Sequence, residues 1–276
     1  MSPSKKYDFS GKVALVTGSS SGIGAAIAVQ LSSYGCKVAI TGRSAAGLEK
    51  VAQEVLKASG GVAPLQIIGD LLDDAFPQRL ITETIAKFGQ LNFLVNNAGG
   101  GTPKGNLSSD NLLEEFDNVM KLNLRSVVEL TQRAVPYLEK TEGSIVNISS
   151  VAGIKPYALV YSASKAALDM VTKCSALELG PKQIRVNSVN PGPVVTAFAR
   201  SMGFDQAASE AVFHGIAPQM LMKRVGQSED IANLTSFLLS DDARNITGSI
   251  MVSDSGTLLK APEFAPDELE KKYVKK

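Results

Sequence analysis

The chain carries 276 residues, 44% of them hydrophobic, with 28 Lys and Arg against 27 Asp and Glu, a formal net charge of +1 at pH 7. Such a length buries the core of one large α/β domain, and a balanced charge without long Lys or Arg clusters excludes the electrostatic footprint of a nucleic-acid binder. A single histidine, His214, and two distant cysteines, Cys36 and Cys174, without Cys-x-x-Cys spacing, exclude a zinc site and a Ser-His-Asp triad.

Along the chain, short apolar runs rich in β-branched residues alternate with longer amphipathic stretches. Strands are predicted at Val13 to Thr17, Val38 to Thr41, Leu65 to Ile68, Phe93 to Asn96, Ser144 to Ile148, Arg185 to Val189 and Ile250 to Val252. Helical periodicity covers Ile23 to Tyr34, Ala45 to Ala58, Gln78 to Phe88, Asn111 to Leu138, Val160 to Leu179 and Ser228 to Leu239. The alternation predicts a doubly wound, Rossmann-type α/β fold: a parallel seven-stranded sheet with helices on both faces. One domain over residues 1–276 is expected, with loosely held ends at 1–8 and 261–276, the second a lysine-bearing solvated tail. No run of about 18 apolar residues suits a membrane. Met1 to Ser10 lacks a signal-peptide pattern, so a cytoplasmic location with reduced thiols is expected.

The first strand runs into Gly18-Ser19-Ser20-Ser21-Gly22-Ile23-Gly24 and then a helix. Glycines 18, 22 and 24 let a phosphate approach backbone amides with no Cβ in the way, and the helix N-terminus adds donors and a favourable dipole. Ser20, Ser21 and Ile23 share that loop as candidate cofactor-binding residues. After the second strand, NAD-selective dinucleotide folds carry an acid that holds the ribose hydroxyls. This chain has Thr41-Gly42-Arg43 there instead. An arginine offers a planar, permanently charged fork to a 2′-phosphate, with Ser20 or Ser21 as added donors, which favours NADP(H) over NAD.

Tyr161 and Lys165, in Tyr161-Ser162-Ala163-Ser164-Lys165, stand one helical turn apart and leave the same helix face. A free phenol has a pKa of about 10. A neighbouring ammonium favours the phenolate, so the spacing predicts a lowered tyrosine pKa and a dyad able to act as acid or base near neutrality.

In order along the chain, the glycine loop, Asn96-Asn97-Ala98-Gly99, Asn123, Ile148-Ser149-Ser150-Val151, the Tyr161/Lys165 pair and Pro191-Gly192-Pro193-Val194-Val195-Thr196 resemble the short-chain dehydrogenase/reductase family, in its single-domain branch with the 3-oxoacyl carrier-protein reductases. The resemblance runs from about Gly11 to about Gly256. It implies Ser150 as a donor to the substrate carbonyl, Tyr161 as proton donor and Lys165 as holder of the nicotinamide ribose. It also implies Asn123 as the anchor of a water relay, Asp70 at the adenine, Asn97 beside the adenosine ribose, and Thr196 at the nicotinamide carboxamide or a phosphate. Asp70 could equally cap its own loop. Relatives assemble as tetramers through their long helices, so a homotetramer is expected, with no nucleic-acid or membrane partner and a small carbonyl or alcohol as substrate.

Two departures from the family pattern stand out. The Ser150-to-Tyr161 spacing is short, trimming the loop that lines the substrate pocket, and Asp254-Ser255-Gly256 replaces Asp-Gly-Gly, so Ser255 must tolerate or avoid a positive φ. Between Pro193 and Val225, Phe198, Met202, Phe204, Phe213, Met220, Leu221 and Met222 either face an apolar substrate or pack a lid on the core. The expected activity is NADP(H)-dependent reduction of a ketone or aldehyde. The alternatives are NAD-dependent oxidation of a secondary alcohol and a catalytically silent dinucleotide sensor.

Overall fold

A computed structural model describes residues 6–102, 105, 107–196 and 215–259. Its sheet is built from β1 (Val13–Val16), β2 (Lys37–Gly42), β3 (Leu65–Ile68), β4 (Phe93–Asn96), β5 (Ser144–Ile148), β6 (Arg185–Pro191) and β7 (Ile250–Ser253). All seven strands are parallel, in the order β3-β2-β1-β4-β5-β6-β7. β1, β4 and β5 are buried along their whole length, as a sheet covered on both faces requires, which is why their sequences run apolar without alternating.

The helices are α1 (Gly22–Ser33), α2 (Ala45–Ala58), α3 (Phe76–Phe88), α4 (Leu112–Met120), α5 (Ser126–Leu138), α6 (Leu159–Leu179) and α7 (Ser228–Leu239). Two apolar clusters divide them. Ala14 and Val16 of β1 face one cluster with Ile27 and Leu31 of α1, Leu48 and Val51 of α2, and Ile231 and Leu238 of α7. Val13 and Leu15 face the other, with Leu80 and Ile81 of α3, Leu130 and Ala134 of α5, and Ala176 and Leu179 of α6. The period-2 alternation of β1 thus feeds both layers at once.

Strand order reverses direction between β1 and β4, so the connections leaving their paired C-terminal ends run to opposite faces of the sheet and open a crevice there. A buried amide ladder stiffens the floor of that crevice: Asn96 Nδ2 donates to Asn147 Oδ1 at 2.9 Å, and Asn147 Nδ2 to Thr172 Oγ1 of α6 at 2.9 Å. The predicted helix from Asn111 to Leu138 is realised as α4 and α5 joined by a π-turn at Lys121–Arg125. At the N-terminal side, Tyr7 stacks on Phe9 and meets Tyr34 edge-on, and Phe9 is buried against Phe93. Residues 1–5 and the 261–276 tail lie outside the described residues.

Candidate active site

A cavity of about 910 Å³ lies along the C-terminal ends of the strands, inside the ~300–1,000 Å³ range of small-molecule sites. At one end it is lined by Gly18, Ser20, Ser21, Gly22 and Ile23 of the β1–α1 turn, with Arg43 and Asp70. At the other it is lined by Ser150, Tyr161 and Lys165, and Asn97 and Thr196 also border it.

The glycine turn is tight because its neighbours leave no space. Gly18 has φ +62°, and a Cβ there would stand 2.8 Å from Ala98 Cα; Gly22 has φ +59° and would place one 3.3 Å from Thr196. Both conformations favour glycine. Gly24, read as a phosphate contact, does not line the cavity. It packs behind the turn, where a Cβ would come within 2.4 Å of Asn97 Nδ2 and 2.5 Å of the Gly18 carbonyl oxygen. Asn97 spends its amide on the same turn, donating to the carbonyls of Thr17 at 2.8 Å and Gly18 at 3.1 Å. Thr17 Oγ1 in return accepts from the backbone N–H groups of Asn97 and Ala98, each at 3.0 Å. The β1 and β4 ends are therefore one bonded unit, with the first turn of α1 open to the cavity. These features fit a dinucleotide pyrophosphate: a bare backbone, a twelve-residue helix N-terminus and space beyond it.

Arg43 follows β2 with its side chain 75% exposed, and its guanidinium stands 3.8 Å from Asp70 Oδ2. An exposed pair at that distance is weak. Ser20 lies beside Gly42, where a Cβ would be 2.9 Å from Ser20 Oγ, so that hydroxyl and the Arg43 fork border the same corner. Asp70 lines the cavity and also caps its own loop: its Oδ1 accepts from the Leu72 N–H at 3.0 Å.

At the other end, α6 presents Tyr161 and Lys165 on one face, as a one-turn spacing requires. Lys165 is 3% exposed; its Nζ donates to the Ile148 carbonyl at 2.9 Å and stands 5.7 Å from the centre of the Tyr161 ring. Burial pulls the Lys165 pKa down to about 8, opposed by the charge of Asp169. Burial also pushes the Tyr161 phenol up to about 12, while a hydrogen bond with Ser150 pulls the other way. The spacing predicted a lowered tyrosine. Desolvation wins, and the ammonium is turned toward the Ile148 carbonyl. The consequence is a phenol held protonated at neutral pH but a weaker acid than free tyrosine, so its donation leans on the groups that stabilise the phenolate.

Ser150 caps the short 3₁₀ turn Val151–Gly153, its Oγ accepting from the Ala152 N–H at 3.1 Å. The trimmed loop after it is stapled to α6: Ser162 Oγ accepts from the N–H groups of Tyr157 at 3.0 Å and Ala158 at 3.3 Å. Asn123 sits in the π-turn, 1% exposed and off the cavity lining. Its Nδ2 donates to the Gly100 carbonyl at 2.8 Å and lies 3.0 Å from Ser164 Oγ, and its Oδ1 accepts from the Gly100 N–H at 2.9 Å. A Cβ on Gly99 would stand 3.2 Å from that Oδ1 and 3.3 Å from Lys165 Nζ, so Asn123 and Lys165 converge on one glycine.

Two features went unread in the sequence. Asp169, one turn past Lys165, is 9% exposed and bonded into the same region; only its position, eight residues after Tyr161, hinted at it. Lys155 and Tyr157 border the cavity on the trimmed loop. Of the lid residues, Met220 lines the cavity, Leu221 and Met222 are exposed, and Phe198, Met202, Phe204 and Phe213 fall outside the described residues, as does His214. Ser255 adopts φ +53° rather than avoiding it, and Asp254 Oδ1 accepts from the following Gly256 N–H at 2.8 Å. Among the described residues no cluster of His, Cys, Asp or Glu could hold a metal ion, and no helix is long and apolar enough to cross a membrane.

A family model described as Enoyl-(Acyl carrier protein) reductase matches residues 18–257. The chain is 39% identical over 258 residues to a glucose 1-dehydrogenase of Gluconobacter oxydans, covering 92% of this chain and 94% of that one. It is 36% identical over 253 residues to a 3-oxoacyl-[acyl-carrier-protein] reductase FabG of Staphylococcus aureus, covering 89% and 97%. A crystal structure of a short-chain dehydrogenase/reductase of unknown function from Caenorhabditis elegans, with cofactor, superposes with a TM-score of 0.87 at 36% identity, covering 92% and 97%.

Proposed function

Since the chain belongs to the short-chain dehydrogenase/reductase family, whose members are oxidoreductases using a nicotinamide dinucleotide, we propose that it reduces a ketone or aldehyde to an alcohol with NADPH. One observation carries the reading: a single cavity joins an open glycine turn at a helix N-terminus to a Ser150-Tyr161-Lys165 cluster whose lysine is buried. When bound, the dinucleotide supplies the hydride. Everything else falls to the chain's own residues. Ser150 Oγ orients the substrate oxygen and stabilises the negative charge that develops on it. Tyr161, protonated at neutral pH, delivers its phenolic proton to that oxygen. Lys165, as an ammonium, holds the ribose hydroxyls and lowers the cost of the phenolate left behind. Asn123 holds the π-turn beside Gly99 and Gly100, where a water could link Lys165 to solvent.

The preference for NADP rests on Arg43 and Ser20 at the corner after β2, where no carboxylate follows the strand directly. Asp70, 3.8 Å from Arg43 and lining the same cavity, favours a second reading with NAD, because its negative charge opposes a phosphate at that corner. The substrate half is mainly apolar, with Val151, Pro156, Tyr157, Ile216, Met220 and Leu258 around it, which suits a hydrophobic or mixed carbonyl compound. A homotetramer and a cytoplasmic setting belong to the same proposal.

The test is consumption of NADPH and NADH, side by side, against ketones, diketones, quinones, sugars and 3-oxoacyl thioesters, with Tyr161→Phe as control. Turnover with NADPH that vanishes in the variant supports both acid and cofactor. Turnover with NADH alone shifts the reading to an NAD enzyme, and tight binding of either cofactor without turnover shifts it to a sensor.

A further inference from the structure

Behind the reacting groups lies an acid that the proposed chemistry does not use. Asp169 is on α6, one turn beyond Lys165 and two beyond Tyr161, and 9% exposed. Its Oδ2 accepts from Asn190 Nδ2 at 2.7 Å, its Oδ1 stands 3.3 Å from Ser188 Oγ, and the Ser149 hydroxyl also bonds to it. Asn190 gives its other amide hydrogen to the Ser150 carbonyl at 3.0 Å, and its Oδ1 accepts from Ser188 Oγ at 2.7 Å. Thus one carboxyl ties α6 to β6 and to the chain just after β5.

Burying a carboxylate is costly unless a cation and hydrogen bonds compensate it. The groups bonded to Asp169, namely Ser149, Ser188 and Asn190, are neutral, and the cation acting on it is Lys165. The surroundings of Lys165 are equally sparse: Asp169 and the phenol of Tyr161 on its own helix, the neutral Ile148 carbonyl on β5, and Asn123 near Gly99 from the π-turn. The phenol of Tyr157 acts on Tyr161 from the trimmed loop. Asp169 is the one carboxylate in that set. Resting on the reading of Ser150, Tyr161 and Lys165 as the reacting end, we infer that Asp169 is a positioning residue: its carboxylate keeps the buried Lys165 an ammonium and, through Asn190, steadies the backbone of Ser150.

Burial alone favours neutral Lys165, and an anion one turn away opposes it. The full chain labelled with ¹³C at lysine Cε reads this directly, the Lys165 resonance being assigned by its loss in Lys165→Met. In Asp169→Asn, which keeps size and hydrogen bonding, the Lys165 midpoint is expected to fall by about one pH unit. Asn190→Ala is expected to slow turnover while leaving that midpoint in place. An unmoved midpoint in Asp169→Asn, or an equal move in Asn190→Ala, overturns the inference. Should Asp169→Asn fail to fold, the wild type decides through its labelled Asp169 carboxyl: ionised at pH 7 upholds the counter-charge, and protonated at pH 7 overturns it. A shifted midpoint in a protein that turns over no carbonyl compound upholds the inference and counts against the reductase reading instead.

Discussion

The two ends of the cavity hold their charges in opposite ways. Lys165 is 3% exposed and fixed by a backbone carbonyl, whereas the Arg43 side chain is 75% exposed and only loosely paired with Asp70. At the buried end, desolvation sets protonation, and Lys165 and Asp169 are tied to neighbouring strands of the fold. At the open end, water screens the charges and the side chains keep their freedom. On the proposed reading, chemistry is therefore built into the core, while cofactor preference rides on a few exposed atoms and is easier to exchange.

The largest expected effect strikes the buried end. Tyr161→Phe removes the proton donor and should lower kcat by about 10³-fold while cofactor binding stays near normal; a loss below tenfold would show that another group supplies the proton. The next follows from Lys165. Its folded pKa, about 8, lies below the 10.5 of an ordinary lysine, so the unfolded chain binds more protons between those values and stability rises with pH through that window. Integrated, the gain is about 3 kcal/mol. Tyr161, raised to about 12 from 10, acts oppositely, with its stabilising contribution lost as pH climbs from 10 to 12. Urea unfolding at pH 7, 10 and 12 should thus give a maximum near the middle value, and the rise should be missing in Lys165→Met. A wild-type curve that only falls above pH 8 contradicts burial as the dominant cause.

At the open end, Arg43→Ala should weaken NADPH by roughly thirtyfold, the worth of one charge-assisted contact, and leave NADH within about twofold. Equal affinities before and after would erase the contrast between the two ends and leave cofactor choice to Ser20 or Asp70. The smallest effect lies at a strained position outside both ends. Ser255 holds φ +53°, which costs a non-glycine residue about 1 kcal/mol, so Ser255→Gly should raise stability by up to that amount without altering kcat. A destabilised variant would mean that the Ser255 side chain makes good its strain.

Much of this was legible from periodicity. β3, β4 and β5 and helices α2 and α7 keep their predicted limits, because local pattern and tertiary burial agree there. The π-turn was not legible, since what accompanies it is Asn123 reaching Gly100 and Ser164, 23 and 41 residues away. Gly24 shows a different limit: the motif marks it as special, but only the Asn97 amide against it reveals that packing, rather than a ligand, demands glycine. The direction of the Tyr161 shift escaped for a third reason, because a one-turn spacing encodes proximity to an ammonium and says nothing of how much water both groups lose. Asp169 escaped because its partners come from β6 and from the chain after β5.

The short loop after Ser150 carries a cost for anyone hoping to redirect this protein to new compounds. Because Ser162, in the turn that bears Tyr161, receives two N–H groups from that loop, the pocket wall and the proton donor move as one body. Grafting a longer loop to admit a bulkier molecule would tilt the acid along with the wall. Variation can proceed more safely on the opposite side, at Ile216, Met220 and Leu258, which border the cavity from elements that carry none of the reacting groups.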